Sequence, residues 1–377
     1  MSINNNNFNQ SNQVYFIGLD VHKKNWTVCI RNSGLFLKKF SMNPSPVQLY
    51  NYLKRNYPDG IYYSVYEAGY CGYWIDRELK KLGINNIIVS PSDVPTSSRD
   101  KFEKTDPRDA RNLAMHLQNQ TIKGIYIPNE LQLHLRSLSR LRVQLIKQQT
   151  RLKNQIKAYL YFYGFILPEN SVMLHWTGKF IEHLRSFEFS HPAGKLQLDI
   201  YITSLLEVRK QILNTVRLLR KTLKENHLDE ILIRLCSIPG IGFTTAATLY
   251  TELMDIKRFS SFDKLVSFVG LSPSRRKSAE TEKILGISFH YNKYLRSMLV
   301  ESAWISVRVD PSMTNLYGQY IRRMSKQEAI IRIAKKLLSR FRFVWLNNKE
   351  YQNYYISLET KKAEQKKIIL KKIIFKE

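Results

Sequence analysis

The chain has 377 residues, with 59 lysines and arginines against 31 acidic residues and a formal net charge of +28. Hydrophobic residues make up 44% and aromatic residues 12%, which excludes a largely disordered chain and predicts several domains, each with its own core. The excess of positive charge favours a polyanionic partner. Nucleic acid is the first candidate, and a basic surface that binds nothing or docks on anionic membrane is the alternative.

The cysteines and the first residues indicate where the protein works. Cys29, Cys71 and Cys236 show neither an even count nor CxxC spacing, so they favour buried thiols over a disulfide framework or a zinc site. Residues 1–13 are polar and asparagine-rich, without the charged start and apolar core of a signal peptide. No apolar stretch approaches the roughly 20 residues of a membrane span. We expect a disordered tail over 1–13 and a soluble cytoplasmic protein.

From residue 14 the pattern is that of an α/β domain. Apolar runs and turn residues predict strands, and residues with helical spacing alternate with them. The predicted elements are strands at 14–20, 26–32 and 35–42, a helix at 45–56, a strand at 61–67, a helix at 73–83, a strand at 85–91 and a helix after residue 109. This β-β-β-α-β-α-β-α order is that of the ribonuclease H-like fold, which we predict for residues 14–128.

The remainder of the chain is predicted to be mainly helical. Apolar residues three and four positions apart over 130–164 and 196–227 predict two long helices, hence a helical hairpin or coiled-coil linker over 129–231. The sequence LCSIPGIGFTTAATLYTEL (235–253) predicts a helix that breaks at a Pro-Gly-Ile-Gly turn and resumes at Thr244 or Thr245. Gly240 and Gly242 would let backbone N–H groups approach phosphate oxygens, as in a helix-hairpin-helix motif. A plain turn between packed helices is the alternative.

Two basic segments follow this turn. Residues 257–300 predict short helices around a basic loop, SRRKSAETEK. Residues 322–377 hold 16 lysines and arginines against 5 glutamates, and within them we expect a basic C-terminal tail over 346–377. That tail is either an amphipathic basic helix or a segment that orders on nucleic acid.

The stretch KTDPRDARNLA (104–114) places Asp106 and Asp109 three residues apart. One interpretation is local: Asp106 caps a helix, Pro107 takes its first position, and Asp109 takes the place of a capping-box acid. The other interpretation is a metal site. The two are compatible, because a helix that starts here would aim both carboxylates in one direction.

The fold prediction brings further acids to the same place. Asp20 closes the first strand and Glu67 closes the fourth, and in this fold these strands are parallel neighbours. With Asp106 and Asp109 alongside, four carboxylates would repel one another unless a divalent cation neutralised them. Hard oxygen ligands favour Mg²⁺ or Mn²⁺. Such ions beside the cations Lys101, Lys104, Arg108 and Arg111 suit in-line phosphoryl transfer.

Long segments of the chain resemble one family. GLDVHKK, YEAGYCGYWIDREL, VSPSDVP and KTDPRDARNLA resemble the N-terminal domain of the DEDD-type insertion-sequence transposases, the bridge-RNA-guided recombinases to which the pilin-gene DNA invertases are related. SIPGIGFTTAATLYTELMDIKRFSSFDKLVSFVGLSPSRRKSA and KYLRSMLVESAW resemble their C-terminal transposase domain. The resemblance covers roughly residues 14–128 and 232–310, with the helical linker between them.

The resemblance implies an RuvC-like (ribonuclease H-like) metal domain with Asp20, Glu67, Asp106 and Asp109 as catalytic ligands of Mg²⁺ or Mn²⁺. It also implies a C-terminal transposase domain over 232–345 with Ser278 as a serine nucleophile that forms a covalent link to DNA. A bridge RNA would pair with donor and target DNA, and the enzyme would act as a homo-oligomer, a dimer or tetramer, in the bacterial or archaeal cytoplasm at the nucleoid. Where the family has glycine after this serine, this chain has Ala279.

The residues predicted to contact nucleic acid are Lys104, Arg108, Arg111, Gly240, Gly242, Arg275, Arg276, Lys277, Lys293 and Arg296. Three alternative functions remain open. The first is a site-specific DNA invertase of the same family. The second is a structure-specific nuclease of the Holliday-junction type that uses only the metal site. The third is a basic nucleic-acid-binding protein whose acids serve as helix caps.

Overall fold

The computed structural model describes residues 13–95, 106–167, 175–278, 281–287 and 291–352, with the backbone alone at 106–107, 273–278 and 281–287. The predicted tail up to residue 12, Lys101, Lys104, Ala279 and the tail from residue 353 onward lie outside the described residues. The chain divides into two compact units, Met1–Ile127 and Pro128–Glu377, which are described in turn.

The first unit is a five-stranded mixed sheet with helices. In chain order its elements are β1 (Val14–Val21), β2 (Trp26–Asn32), β3 (Leu35–Met42), α1 (Pro46–Asn56), β4 (Ile61–Glu67), α2 (Trp74–Lys81), β5 (Asn85–Val89) and α3 (Asp106–Gln118). The strand order is β3-β2-β1-β4-β5. The pairs β1–β2 and β2–β3 are antiparallel, whereas β1–β4 and β4–β5 are parallel. The predicted order of strands and helices is therefore observed.

The alternation of side chains along β1 separates the two faces of this sheet. Ile17 and Leu19 are fully buried with residues of α1 and α2 on one face. On the other face α3 packs, and its Leu113 and Leu117 form a cluster with Val65 of β4. Since alternate residues of a strand point to opposite faces, Gly18 and Asp20 belong to the face that α3 covers.

The second unit is mainly helical. Its elements are α4 (Glu130–Phe162), α5 (Gly178–Arg185), α6 (Pro192–Glu225), α7 (Asp229–Cys236), α8 (Phe243–Leu253), α9 (Phe262–Val269), β6 (Pro273–Ser278), β7 (Thr281–Ile287), α10 (Lys293–Val309), α11 (Pro311–Ile321) and α12 (Lys326–Asn347). Sequence signals mark several helix starts; α4 begins with a capping box of Asn129 and Gln132, and α12 with one of Ser325 and Glu328. None of the helices described is long and apolar enough to cross a membrane.

The two long helices α4 and α6 pack against each other in antiparallel directions. Ile156 near the end of α4 shares a buried cluster with Ile202 near the start of α6. Leu135 near the start of α4 shares another with Leu223 near the end of α6. The larger of these clusters continues through α7, α8, α9, α10 and α12, so the helical hairpin and the later helices have a common core.

The structure corrects two sequence expectations in this unit. The segment predicted as a basic loop is a two-stranded antiparallel hairpin, β6 with β7, in which Arg275 pairs with Ile284 and Ser278 with Thr281. Consecutive cations have low strand propensity, and a paired segment several residues downstream determines the strand instead. Helix α8 begins at Phe243, not at Thr244 or Thr245, because the extended Gly242 already serves as its N-cap.

A buried ion pair stabilises the C-terminal helices. Asp310 is 0% exposed, caps α11 by accepting from Ser312 N at 3.0 Å, and pairs with Arg340 of α12. Burial raises the pKa of Asp310, but hydrogen bonds from Ser312 and Arg340 and the charge of Arg340 outweigh that effect, so its pKa is lowered from the ordinary value of 3.8. The pair thus contributes stability above pH 3.8 that is lost as the pH falls through the folded-state pKa.

We predict that Asp310→Asn lowers the free energy of unfolding by about 3 kcal/mol at pH 7, because it leaves the guanidinium of Arg340, 12% exposed, without its counter-charge. The difference between variant and wild type should shrink as the pH falls below 3.8, the ordinary pKa of the carboxyl. Denaturant unfolding across a pH series measures both quantities. Glu78→Gln, which removes an exposed pair with Lys81, is the control and should cost less than about 1 kcal/mol. A pH-independent difference would contradict this account.

Candidate active site

The first and fourth strands bring two acids to one edge of the sheet. In the parallel pair of β1 and β4, Leu19 lies opposite Tyr66, so the next residues along the two strands are Asp20 and Glu67. Tyr66 faces the core that contains α1 and α2, which places Glu67, its neighbour in the strand, on the opposite face. Asp20 and Glu67 therefore lie at the same edge and on the same face of the sheet, which is the face covered by α3.

Helix α3 lies directly on β1. A Cβ atom placed on Gly18 would lie 2.0 Å from the carbonyl oxygen of Ala110 and 2.6 Å from the amide nitrogen of Ala114. Ala110 and Ala114 are themselves 0% exposed, so small side chains are needed on both sides of the contact. Because Asp109 immediately precedes Ala110, this close approach of helix and strand delivers Asp109 to the edge where Asp20 and Glu67 lie.

The three acids line one cavity of about 210 Å³. Its other walls are the segment after β1 and the segment after β4; the residues are Val21, His22, Ala68, Gly69, Tyr70 and Cys71. The Nε2 atom of His22 lies 3.2 Å from Oδ2 of Asp20. Burial raises the pKa of the Cys71 thiol, so the group is a neutral wall of the cavity.

The donor set suits a hard divalent cation. Carboxylates from three separate segments of the chain face one small cavity, and oxygen ligands are those that Mg²⁺ or Mn²⁺ prefers. Among the side chains that the structure describes, no three acids, histidines or cysteines stand close enough together to enclose an ion. The fourth predicted ligand, Asp106, is the first residue of α3, and only its backbone is described.

Basic residues of α3 lie next to these acids in sequence. Arg108 is half-buried, and Arg111 is exposed with its guanidinium 5.6 Å from the centre of the Phe36 ring. Both were predicted to contact nucleic acid, and Arg111 is the one that solvent reaches freely. Phe36 lies on β3, an edge strand of the sheet, and is 47% exposed.

The predicted nucleophile stands in the second unit. Ser278 is the last residue of β6, at the end of the hairpin where the chain turns back towards Thr281. The predicted phosphate contacts Arg275, Arg276 and Lys277 precede it on the same strand. The predicted nucleophile and the three predicted phosphate contacts are thus consecutive residues of one strand. Their backbone placement is set by pairing with β7.

The two glycines of the turn before α8 differ. Gly240 has a φ of +93°, and a Cβ atom there would lie 2.7 Å from the Ser306 Cβ and 2.8 Å from the Ser302 carbonyl oxygen. That glycine is needed for close packing of the turn on α10. Gly242 is exposed, with open space where a side chain would stand. Gly242 is therefore the glycine whose surroundings leave room for a ligand.

Lys293 and Arg296, the last predicted contacts, belong to the start of α10. Lys293 is exposed. The guanidinium of Arg296 lies 3.3 Å from the centre of the Tyr291 ring, and burial lowers its pKa. This cation is therefore part of the packing around Tyr291.

Sequence reasoning did not identify His22 and Tyr70 as neighbours of the acids. Tyr70 is 67% exposed, and its hydroxyl donates to the carbonyl oxygen of Val21 at 3.4 Å, which connects the segment after β4 with the end of β1. The available signal was spacing: His22 follows Asp20 by two residues, and Tyr70 follows Glu67 by three. Residues just after two parallel strand ends meet at the same edge of a sheet.

Comparison with known proteins gives a consistent result. A family model of DEDD transposases of the IS110 type, described as "Transposase", matches residues 17–165. A second model, described as "Transposase IS116/IS110/IS902 family", matches residues 233–318. The first match contains all four acids of the predicted site, and the second contains Ser278.

Curated relatives match over most of their length. The chain is 29% identical over 290 residues to "Putative transposase y4qE" of Sinorhizobium fredii, covering 76% of this chain and 70% of the relative. It is 27% identical to "Transposase for insertion sequence element IS1111A" of Coxiella burnetii, covering 72% and 73%. It is also 27% identical to "Transposase for insertion sequence element IS1328" of Yersinia enterocolitica, covering 77% and 83%.

We predict that Gly18→Ala destabilises the first unit by about 3 kcal/mol, because the added methyl group overlaps backbone atoms of α3 that cannot rotate away. Thermal unfolding measures the loss. Gly178→Ala is the matched control: the site at Gly178 has open space and lies at the start of α5, so its unfolding temperature should equal that of wild type. Equal stability of the Gly18→Ala variant would show that α3 does not rest on β1 as described.

Proposed function

This chain belongs to the IS110/IS116 family of DEDD transposases, enzymes that cut and rejoin DNA, and from that premise we propose that it moves an insertion sequence by phosphoryl transfer at the acid cavity and at Ser278. The observation that carries the proposal is the convergence of Asp20, Glu67 and Asp109, from three separate segments, on one cavity. The relatives in Coxiella burnetii and Yersinia enterocolitica are named as transposases for insertion sequence elements.

The family implies dependence on a divalent metal. We assign Mg²⁺, or Mn²⁺ in its place, to Asp20, Glu67, Asp106 and Asp109, in a domain of the RuvC-like (ribonuclease H-like) class; the strand order β3-β2-β1-β4-β5 supports that class. When bound, the metal would supply Lewis-acid activation of a phosphate or of an attacking oxygen. The chain's own contribution is to hold these carboxylates on a rigid sheet edge and on a helix packed directly against it.

The residues around the cavity have separate tasks in this scheme. His22, 3.2 Å from Asp20, orients that carboxylate. Arg108 lies between the two acids of α3 and Arg111 follows them, and Arg111 is exposed and able to contact a DNA phosphate. Lys104 is assigned the same task on sequence position alone. Residues 104–111 thus supply both two of the proposed metal ligands, Asp106 and Asp109, and the proposed phosphate contacts.

Ser278 is the proposed nucleophile. Its hydroxyl oxygen would bond to a DNA phosphorus while the bond from that phosphorus to the leaving sugar oxygen breaks; the serine loses its proton and the leaving oxygen gains one. Attack by an incoming sugar hydroxyl on the phosphoserine would reverse the exchange and rejoin the DNA, so the number of phosphoester bonds is conserved. Arg275, Arg276 and Lys277 would neutralise the phosphate. The residue that follows, Ala279, departs from the family's glycine.

The proposed partners are DNA, a bridge RNA and further copies of this chain. A formal charge of +28 supports binding to a polyanion. We assign nucleic-acid contacts in the second unit to Gly242, to Gly240 through its turn, and to Lys293 and Arg296 at the start of α10. Target choice by base pairing to a guide RNA would leave the protein to bind backbone, which suits a chain rich in lysine and arginine. The same chemistry would serve a DNA invertase of this family.

A second candidate is a structure-specific nuclease of the Holliday-junction type that uses only the acid cavity. One observation favours it: all three described acids and the helix that carries Asp106 belong to the first unit, so the proposed metal site needs nothing from the second. On this alternative Ser278 takes no part in the chemistry, and cleaved DNA is released without a covalent link to protein.

We predict that Asp20→Asn, Glu67→Gln and Asp109→Asn each lower Mg²⁺-dependent cleavage of element-end DNA by about 100-fold or more, because each removes a charged ligand of the metal. Each should also abolish the rise in unfolding temperature that Mg²⁺ produces in the wild type, which is independent of activity. Asp59→Asn is the control: Asp59 is an exposed turn residue with φ +56°, a conformation that asparagine tolerates. Three variants that keep both responses would remove the metal-site assignment.

A second prediction separates the two candidate functions. Ser278→Ala should abolish the covalent protein–DNA adduct seen on a denaturing gel, whereas Ser274→Ala on the same strand should retain it. The reason is that only one hydroxyl is the nucleophile. If Ser278→Ala still cleaves DNA while Asp20→Asn does not, the nuclease candidate is correct. An adduct that persists in Ser278→Ala would assign the nucleophile elsewhere.

A further inference from the structure

The hairpin that carries Ser278 is held at its base. The chain enters it after α9, where Gly270 has a φ of +82°, and a Cβ atom there would lie 2.2 Å from the Tyr291 Cβ. On the return side the backbone N–H of Asn292 donates to the carbonyl oxygen of Phe268 at 3.2 Å. The chain on the two sides of the hairpin segment is therefore held in contact, with Phe268 and Gly270 against Tyr291 and Asn292.

Asn292 has two tasks at this base. Its Oδ1 accepts from the backbone amides of Tyr294 at 3.0 Å and Leu295 at 3.4 Å and so caps α10. Its Nδ2 donates to Oε2 of Glu252 at 2.7 Å. The residue that closes the hairpin is thus tied both to the helix that follows and to a side chain of α8.

Glu252 is a buried charge, 1% exposed, in the middle of the second unit's core. Arg140 of α4 donates to it in a bidentate manner, with Nε 2.5 Å from Oε1 and Nη2 2.8 Å from Oε2. The same guanidinium lies 4.8 Å from the centre of the Tyr294 ring at the start of α10. One carboxylate therefore connects α4, α8 and the base of the hairpin.

The side chain of Glu252 is 1% exposed, whereas that of its partner Arg140 is 37% exposed. A salt bridge with a buried carboxylate is weak evidence for a stabilising role, and this carboxylate also accepts a directional hydrogen bond from Asn292. That bond fixes Asn292, the N-cap residue of α10, against α8. The contribution of the Glu252 carboxylate is therefore to fix the position of Asn292.

We propose that Glu252, fixed by Arg140 and acting through Asn292, is a positioning residue that aims the Ser278 hairpin for attack on DNA. This inference rests on the proposed role of Ser278. Glu252 does not touch the reacting atoms; it sets the direction of a two-stranded arm whose far end carries the nucleophile. A shift at the base of such an arm is transmitted to its tip, and a displacement of about 1 Å at a reacting group costs on the order of 100-fold in rate.

The test first removes the hydrogen bond between Asn292 and Glu252 and then restores it with donor and acceptor exchanged. Asn292→Asp keeps the oxygen atoms that cap α10 but places a carboxylate against Glu252 in a buried site, where like charges repel. We expect adduct formation to slow by about tenfold or more, while DNA affinity changes by less than about threefold, because positioning acts on the chemical step and not on uniform binding. In the protein without DNA, backbone amides of 273–278 and 281–287 should exchange hydrogen about tenfold faster.

The rescue adds Glu252→Gln to Asn292→Asp. The introduced amide then donates where the wild-type carboxylate accepted, so donor and acceptor are exchanged and the bond is restored. Adduct formation and hydrogen exchange should return to within about threefold of wild type, a recovery that non-additive neighbours show and independent destabilisations do not. If Asn292→Asp does not fold, Asn292→Ser takes its place in the test. The serine keeps an oxygen that can cap α10 but is too short to reach Glu252, so it should show the same defects in milder form.

Ser139→Ala is the control for stability alone, since it removes a buried 3.0 Å hydrogen bond to Thr248 between α4 and α8 and leaves the hairpin base intact. It should lower the unfolding temperature without slowing adduct formation. Wild-type adduct formation and exchange in Asn292→Asp, or no recovery in the double variant, would overturn the positioning role. Failure of the proposed function gives a different result, namely an adduct that still forms in Ser278→Ala. Hydrogen exchange in the DNA-free protein tests the hairpin base independently of that result.

Discussion

The contact of helix α3 with the backbone of strand β1 is the constraint on which the acid cavity depends. At Gly18 the carbonyl oxygen of Ala110 comes so close that no side chain fits between strand and helix. The helix therefore rests directly on the strand, and Asp109 lies beside the strand ends that carry Asp20 and Glu67. Without that contact the acids would belong to a sheet and to a separate helix, with no defined distance between them.

In a chain with 59 lysines and arginines, two groups of acids have different surroundings. Asp76, Glu252 and Asp310 are buried against donors: Asn86 and Lys80 bind Asp76, Arg140 and Asn292 bind Glu252, and Ser312 and Arg340 bind Asp310. These acids join segments of the core. Asp20, Glu67 and Asp109 instead share one cavity with each other. The convergence of carboxylates from three segments on one cavity is what distinguishes this second group and supports the proposed cation site.

Much of this architecture could be predicted because it depends on local patterns. Apolar runs, helical spacing and turn residues located the sheet strands and the long helices to within a few residues. The hairpin at 273–287 could not be predicted in this way, since its strands depend on each other and not on their own composition. For Gly240 the sequence left open both an approach to phosphate and a plain turn between packed helices, and the partners in that packing, Ser302 and Ser306, are not revealed by any neighbouring residue in the sequence.

The sequence by itself determined the order of elements, the positions of Asp20 and Glu67 at strand ends, and the placement of Asp106 and Asp109 at a helix start, because each follows from the chemistry of a few adjacent residues. Only the tertiary structure decided that His22 and Tyr70 border the same cavity, that a basic stretch pairs as a hairpin, and that Glu252 reaches Asn292 across 40 residues. The physical reason is the same in each case: strand registry and burial bring together groups whose separation along the chain carries no signal of their separation in space.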